Sequence, residues 1–124
     1  MTHITMRKPD IVIRNGGVIN LSANVVSRLE LREGDVISLM EDKSECYIYV
    51  QCRREDAIGS YSGVCRPSKQ GSRHLRAHSS VLCSYLSNKL GGKNIDLIVG
   101  ELVTIPSVGN ALPIIMRNRY DSRD

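Results

Sequence analysis

Phenylalanine and tryptophan are absent from this 124-residue chain, and five tyrosines are its only large aromatics. An interior built without them is filled by Ile, Leu and Val, whose branching suits short β-strands better than a large helical bundle. Long apolar runs are missing too. No stretch approaches the roughly 18 consecutive apolar residues of a membrane span, and Met1–Pro9 lacks the apolar core of a secretion signal. A cytoplasmic protein with no membrane contact is the expectation. The four cysteines, Cys46, Cys52, Cys65 and Cys83, include no C-x-x-C pair. Without a secretion signal they read as reduced thiols, and three of them (Cys46, Cys52, Cys83) sit in apolar or strand-like surroundings as small hydrophobes. A zinc site joining them to His74 and His78 lacks paired ligand spacing, so no metal and no other cofactor is expected.

Acidic residues are missing from the whole interval between Ala57 and Ile95, which holds Arg66, Lys69, Arg73, Arg76, Lys89 and Lys93 together with His74 and His78. The net charge of +4 is therefore uneven. Residues 1–56 carry eight Lys/Arg against nine Asp/Glu, and residues 57–124 carry nine against four. Such a cluster suits a phosphate-facing surface, because each neutralised phosphate releases counterions. The plain alternative is a solvated basic loop without a partner.

What the chain does contain is concentrated in Gly17–Leu39. Val18, Ile19 and Leu21 are strand formers, and Ser22 is a natural helix N-cap. Val25 and Leu29, four apart, share one helical face, with Val26 beside them and Leu31 closing the unit. Gly34-Asp35 is a turn pair, after which Val36, Ile37 and Leu39 read as a strand. Across residues 11–52 this order resembles the AbrB/MazE/SpoVT family of swapped-hairpin DNA-binding domains. The family signature is matched without a gap at Gly17, Ile19, Leu21, Val25, Leu29, Leu31, Gly34, Asp35 and Ile37. There are departures. The usual Pro is Ser22, a mild change at a helix start. The usual Gly after the helix is Glu30, so the helix must end without a left-handed glycine. The family's basic helical residue falls on or beside Val26.

Along the chain, Ile11–Ile13 and Val18–Leu21 form a hairpin around Arg14–Gly17, followed by a helix at about Ala23–Glu30. Strands Asp35–Met40 and Cys46–Cys52 follow, the second alternating tyrosines with Ile48 and Val50. Residues 57–72 read as a linker or long loop with one short strand near Gly63–Arg66. After a loop or strand, a second helix runs from about Ser79 to Lys89, capped by His78 or Ser79 and stopped by Gly91-Gly92. Its buried stripe is Leu82, Tyr85, Leu86 and Leu90. Ile95–Val99, Leu102–Ile105 and Leu112–Met116 complete the strands. Residues 1–56 thus form one strand–helix–hairpin unit, and residues 57–124 a second, basic strand–helix–strand unit packed with it as one domain. Gly17–Asn24 aligns with Gly71–His78 at a constant offset of 54, matching Gly, Leu and Ala, a weak sign of an internal repeat.

The resemblance implies a mainly β protein with two short α-helices, built as a swapped-hairpin β-barrel. Hairpins of that family pair between two subunits, which implies a homo-oligomer. Two units in one chain would instead interleave as a pseudo-dimer or a double-psi-like barrel. It also implies a DNA-binding transcriptional regulator with duplex DNA as partner. Arg14, Arg66, Lys69, Arg73 and Arg76 are the candidates for phosphate or base-edge contact, and Asn15 and Gln70 for reading adenine. Arg28, Arg53 and Arg54 are secondary. Two other classes remain open. One is a protein-interaction or oligomerisation module on the same scaffold. The other is a small double-psi-barrel enzyme resembling pyruvoyl-dependent aspartate decarboxylase, which cleaves itself at a Gly-Ser bond. Here Gly59-Ser60 and Gly71-Ser72 are the available pairs, neither in that family's Gly-Ser-Cys context. His74 and His78 have no nearby acid to complete a catalytic set, and Gly91-Gly-Lys93 lacks P-loop spacing, so no catalytic residue is assigned.

Overall fold

The computed structural model describes residues 8–14, 16–56, 63–69, 73–92 and 94–115. The expected hairpin is present as β1 (Ile11–Arg14) and β2 (Val18–Leu21), paired antiparallel from Ile11–Leu21 to Arg14–Val18. Alternation buries Ile11, Ile13, Ile19 and Leu21 on one face and turns Val12, Arg14, Val18 and Asn20 to the other.

Helix α1 (Ala23–Arg28) starts where Ser22 caps it, the Ser22 hydroxyl accepting from the Val25 amide at 3.4 Å. Its end shows how the helix stops without a glycine. Glu30 itself takes the left-handed conformation, with φ of +54°. The Leu31 amide donates to the Val26 carbonyl at 2.8 Å, and the Glu30 amide to the Ser27 carbonyl at 3.2 Å. These two bonds make a Schellman motif, closed here by a residue that pays about 1–2 kcal/mol for its Cβ.

Strands β3 (Val36–Asp42) and β4 (Glu45–Cys52) form a hairpin around Lys43-Ser44, both at positive φ as a two-residue type I′ turn requires. A single 3-10 turn, Arg54–Asp56, follows. In the second half come β5 (Arg66–Pro67), β6 (Leu75–His78), α2 (Ser80–Leu90), β7 (Ile95–Leu97), β8 (Val103–Ile105) and β9 (Gly109–Ile114). Ser79 is the N-cap of α2 and Gly91 ends it. The stripe α2 buries fully is Cys83 and Leu86, while Leu82, Tyr85 and Leu90 pack half-buried against the core and Val81 faces solvent.

Two antiparallel sheets result, one ordered β5-β6-β2-β1-β7 and the other β3-β4-β9-β8. Their facing sides, with Val25 and Leu86 from the helices, make one aliphatic core that includes Ile11, Leu21, Ile48 and Leu112. The expected closed barrel does not form. Among the described residues the sheets are joined by isolated bridges and not by a ladder, Val36 to Val64 on one side and Val99 to Ile114 on the other. Strand β5 is two residues long, too short to extend the first junction into a ladder. At that junction Gly63 donates to the His78 carbonyl and accepts from the Ile37 amide. With φ of +78° and the Ile37 carbonyl oxygen only 2.8 Å from where a Cβ would sit, the position requires glycine.

The halves run in the same order, two strands, a helix and a strand, but not at a constant offset. An offset of 54 pairs Leu21 with Leu75, which are cross-strand partners in the β2–β6 ladder. The helix caps Ser22 and Ser79 correspond instead at an offset three residues larger. Gly71 lies outside the described residues, as do Gly59-Ser60 and Ser72.

Candidate nucleic-acid interface

The five-stranded sheet turns one face inward and the other to solvent. Strand registers line up one complete row across its outer face: Arg66, Arg76, Asn20, Val12 and Asp96, on β5, β6, β2, β1 and β7 in turn. At about 4.8 Å per strand the row is roughly 19 Å long. A second row beside it runs His78, Val18, Arg14. His74, exposed two residues before Arg76, shares its face by alternation.

Local contacts divide the arginines. Arg14 donates from Nη1 to Asp96 Oδ1 at 3.0 Å and to its neighbouring Ile13 carbonyl at 2.9 Å, so its charge is locally balanced. Arg76 donates from Nε to Asn20 Oδ1 at 2.9 Å. This neutral partner holds the guanidinium without cancelling its charge, and its hydrogen bond uses Nε and not the terminal nitrogens. Arg66 stands directly opposite Arg76, and like charges so placed destabilise a sheet by some tenths of a kcal/mol. An anion laid across the pair would relieve that repulsion.

The remaining candidates fall elsewhere. Lys69 is exposed on the β5–β6 connection. Arg73 lines a groove on the inner side of the same hairpin. Asn15 and Gln70 lie outside the described residues. Arg53 is structural: its Nη1 bonds Asp35 Oδ2 and the Glu30 carbonyl, both at 2.8 Å. Arg28 approaches Glu101 at 3.9 Å, and the Arg54 amide donates to Asp35 Oδ1. Asn20 is the site residue sequence reasoning missed. Its signal was present, as a polar residue at an outward position of an otherwise aliphatic strand.

A second polar cluster joins α2 to the other sheet. Lys89 pairs with Glu41 and sits over the Tyr85 ring, 5.6 Å from its centre, and the Tyr85 hydroxyl is buried with no hydrogen-bond partner among the described residues. The hydrogen bond from Lys89 holds the Glu41 carboxyl below its ordinary range. Burial raises the Tyr85 phenol and the neighbouring Cys46 thiol, and burial with the nearby Asp35 charge pushes Cys65 up to about 12. The raised values favour the neutral phenol and thiols at neutral pH. Among the described residues no three His, Cys, Asp or Glu side chains converge as metal ligands, the cysteines are unbridged, and no helix is long and apolar enough to cross a membrane. Comparison with known protein families, curated proteins and solved structures finds no match to this chain.

Proposed function

We propose that this chain is a DNA-binding regulator that meets the duplex with the β5–β6 side of its five-stranded sheet. The observation that carries the reading is the facing pair Arg66–Arg76, with Arg76 oriented by Asn20 and no acid nearer in the row than Asp96 at its far end. His74 and His78 extend this surface and Lys69 lies on the adjoining loop. The arrangement supplies phosphate contacts first and one guanidinium fork of the kind that reads guanine. Arg14, balanced by Asp96, takes a lesser part.

The swapped-hairpin reading belongs to the same proposal. It is supported by strand exchange between the halves, since β1 of the first half pairs with β7 of the second and Val36 bridges Val64. One chain would then supply both halves of a unit that the family it resembles assembles from two chains.

A labelled random duplex in fluorescence anisotropy tests the function. Wild type should bind at low salt, and Arg66→Ala with Arg76→Ala should lose most of that affinity. Lys43→Gln with Lys89→Gln removes the same charge from positions off this face and should bind like wild type. Equal losses in the two double variants would mean only net charge is sensed, and the assigned face would be wrong. A protein-interaction module is the second reading, favoured by Leu102 and Val103, which stay 39% and 37% exposed at the edge strand β8. Absence of binding at low salt would favour it.

A further inference from the structure

We infer that the groove between α1 and the β5–β6 hairpin binds a small amphipathic anion, an apolar ring or short chain bearing one carboxylate or sulfonate. The groove encloses about 460 Å³, within the range of about 300–1,000 Å³ that small-molecule sites occupy. Its walls are mostly apolar: Val26 and Ala23 from α1, Leu31 after it, and Pro67 and Leu75 from the hairpin, with Ser27 of α1 among them. Two arginines, Arg32 and Arg73, line the same groove with one acidic residue, Glu33. Neither arginine is engaged in an ion pair among the described residues.

The chemistry follows from that lining. Apolar walls reward a hydrocarbon body, and the excess of fixed positive charge selects an anionic head over a cationic one. A wholly polar ligand such as inorganic phosphate would leave the walls wetted and gain only the rim. The groove is also separate from the proposed DNA face. Pro67 pairs with Leu75 and Arg66 with Arg76 along the same two strands, so alternation sends the two pairs to opposite sides of the hairpin. The inference therefore stands independently of DNA binding. Sequence explains the cavity: α1 is six residues long, and Val26, at the place where the resemblance expects a basic side chain, lines the groove instead.

The test uses 1-naphthoate and its uncharged counterpart 1-naphthalenemethanol, titrated into the 15N-labelled full chain and followed by amide chemical shifts. The expected result is saturable 1-naphthoate binding with shifts clustered at residues 23–33 and 73–75, and the alcohol bound more weakly. Arg73→Ala should weaken 1-naphthoate by about three- to fivefold, the worth of one exposed ion pair, and leave the alcohol unchanged. Val26→Glu, which puts a carboxylate into the apolar wall, should abolish both. Arg73 is exposed, so its variant keeps the test decisive even if Val26→Glu unfolds. No saturation by about 1 mM, shifts centred elsewhere, or an Arg73→Ala variant that binds 1-naphthoate like wild type would each overturn the inference.

Discussion

Replacing Asp35 by alanine should be among the most damaging single changes in this chain, and the size of the loss follows from what its carboxylate holds. Asp35 is 1% exposed. Oδ2 accepts from the Arg32 amide at 2.9 Å and from Arg53 Nη1 at 2.8 Å, and Oδ1 accepts from the Arg54 amide at 2.8 Å. Those bonds fasten the turn before β3 to the chain leaving β4. Alanine leaves two backbone donors without their acceptor, at about 1–3 kcal/mol for each that stays dry, while Arg53 loses one bond and keeps those to the Glu30 and Leu29 carbonyls. The Arg53 side chain is 37% exposed and regains water, so its share is discounted. A net loss of about 3 kcal/mol is expected. With a urea m-value of about 1.5 kcal/mol/M, the unfolding midpoint falls by roughly 2 M with little change in slope. Arg53→Ala should cost only about 1 kcal/mol, because the two amides keep their carboxylate. A loss below about 1 kcal/mol for Asp35→Ala, or equal losses for the two variants, would refute the assignment of the stability to the backbone amides.

Other changes follow from particular residues. Glu30→Gly should stabilise the protein by about 1 kcal/mol, raising Tm by about 4 °C in calorimetry, because the left-handed residue loses its Cβ; no gain would mean the Schellman end is unstrained. Ser79→Ala should cost about 1 kcal/mol and Ser22→Ala less. Ser79 is buried and accepts from the Leu82 amide at 3.1 Å, against the longer bond of Ser22, and the reverse order in urea melts would contradict this reading. Cys65, raised to about 12 by burial and then by the Asp35 charge, is neutral in the fold over a range where the unfolded thiol ionises. Its contribution is intact below about pH 8.5 and is lost as pH rises toward 12, by up to about 1.4 kcal/mol per pH unit. Cys65→Ala should flatten the alkaline limb of a stability–pH curve, and an unchanged limb would remove Cys65 as its source.

The first half was readable because its signals are consecutive. Ser22, Gly34-Asp35 and the aliphatic spacing between them each act within a few residues, and β1 through β4 lie close to where they were expected. The second half hid its strand β6 in Leu75-Arg-Ala-His78. Only two of its residues are buried, one of them alanine, so period-two alternation was masked by the basic side chains around it. The candidate site was legible as composition and not as geometry. Nothing local says that Arg66 faces Arg76, that Asn20 orients Arg76, or that Asp96 balances Arg14, because each contact depends on pairing distant strands. Arg73 illustrates the limit from the other side. It is close to Arg76 in sequence, yet the hairpin carries it to the groove. Glu30 departs from the pattern the sequence resembles, and the helix ends all the same with glutamate in the left-handed conformation glycine favours.

The salt dependence of duplex binding tests the outer face of the five-stranded sheet most directly. The slope of log K against log salt reports the phosphates neutralised, at about 0.9 per contact. If Arg66 and Arg76 each meet a phosphate, the double alanine variant should shift that slope by about two units toward zero. A variant that keeps the wild-type slope would remove both arginines, and with them this face, from the DNA contact.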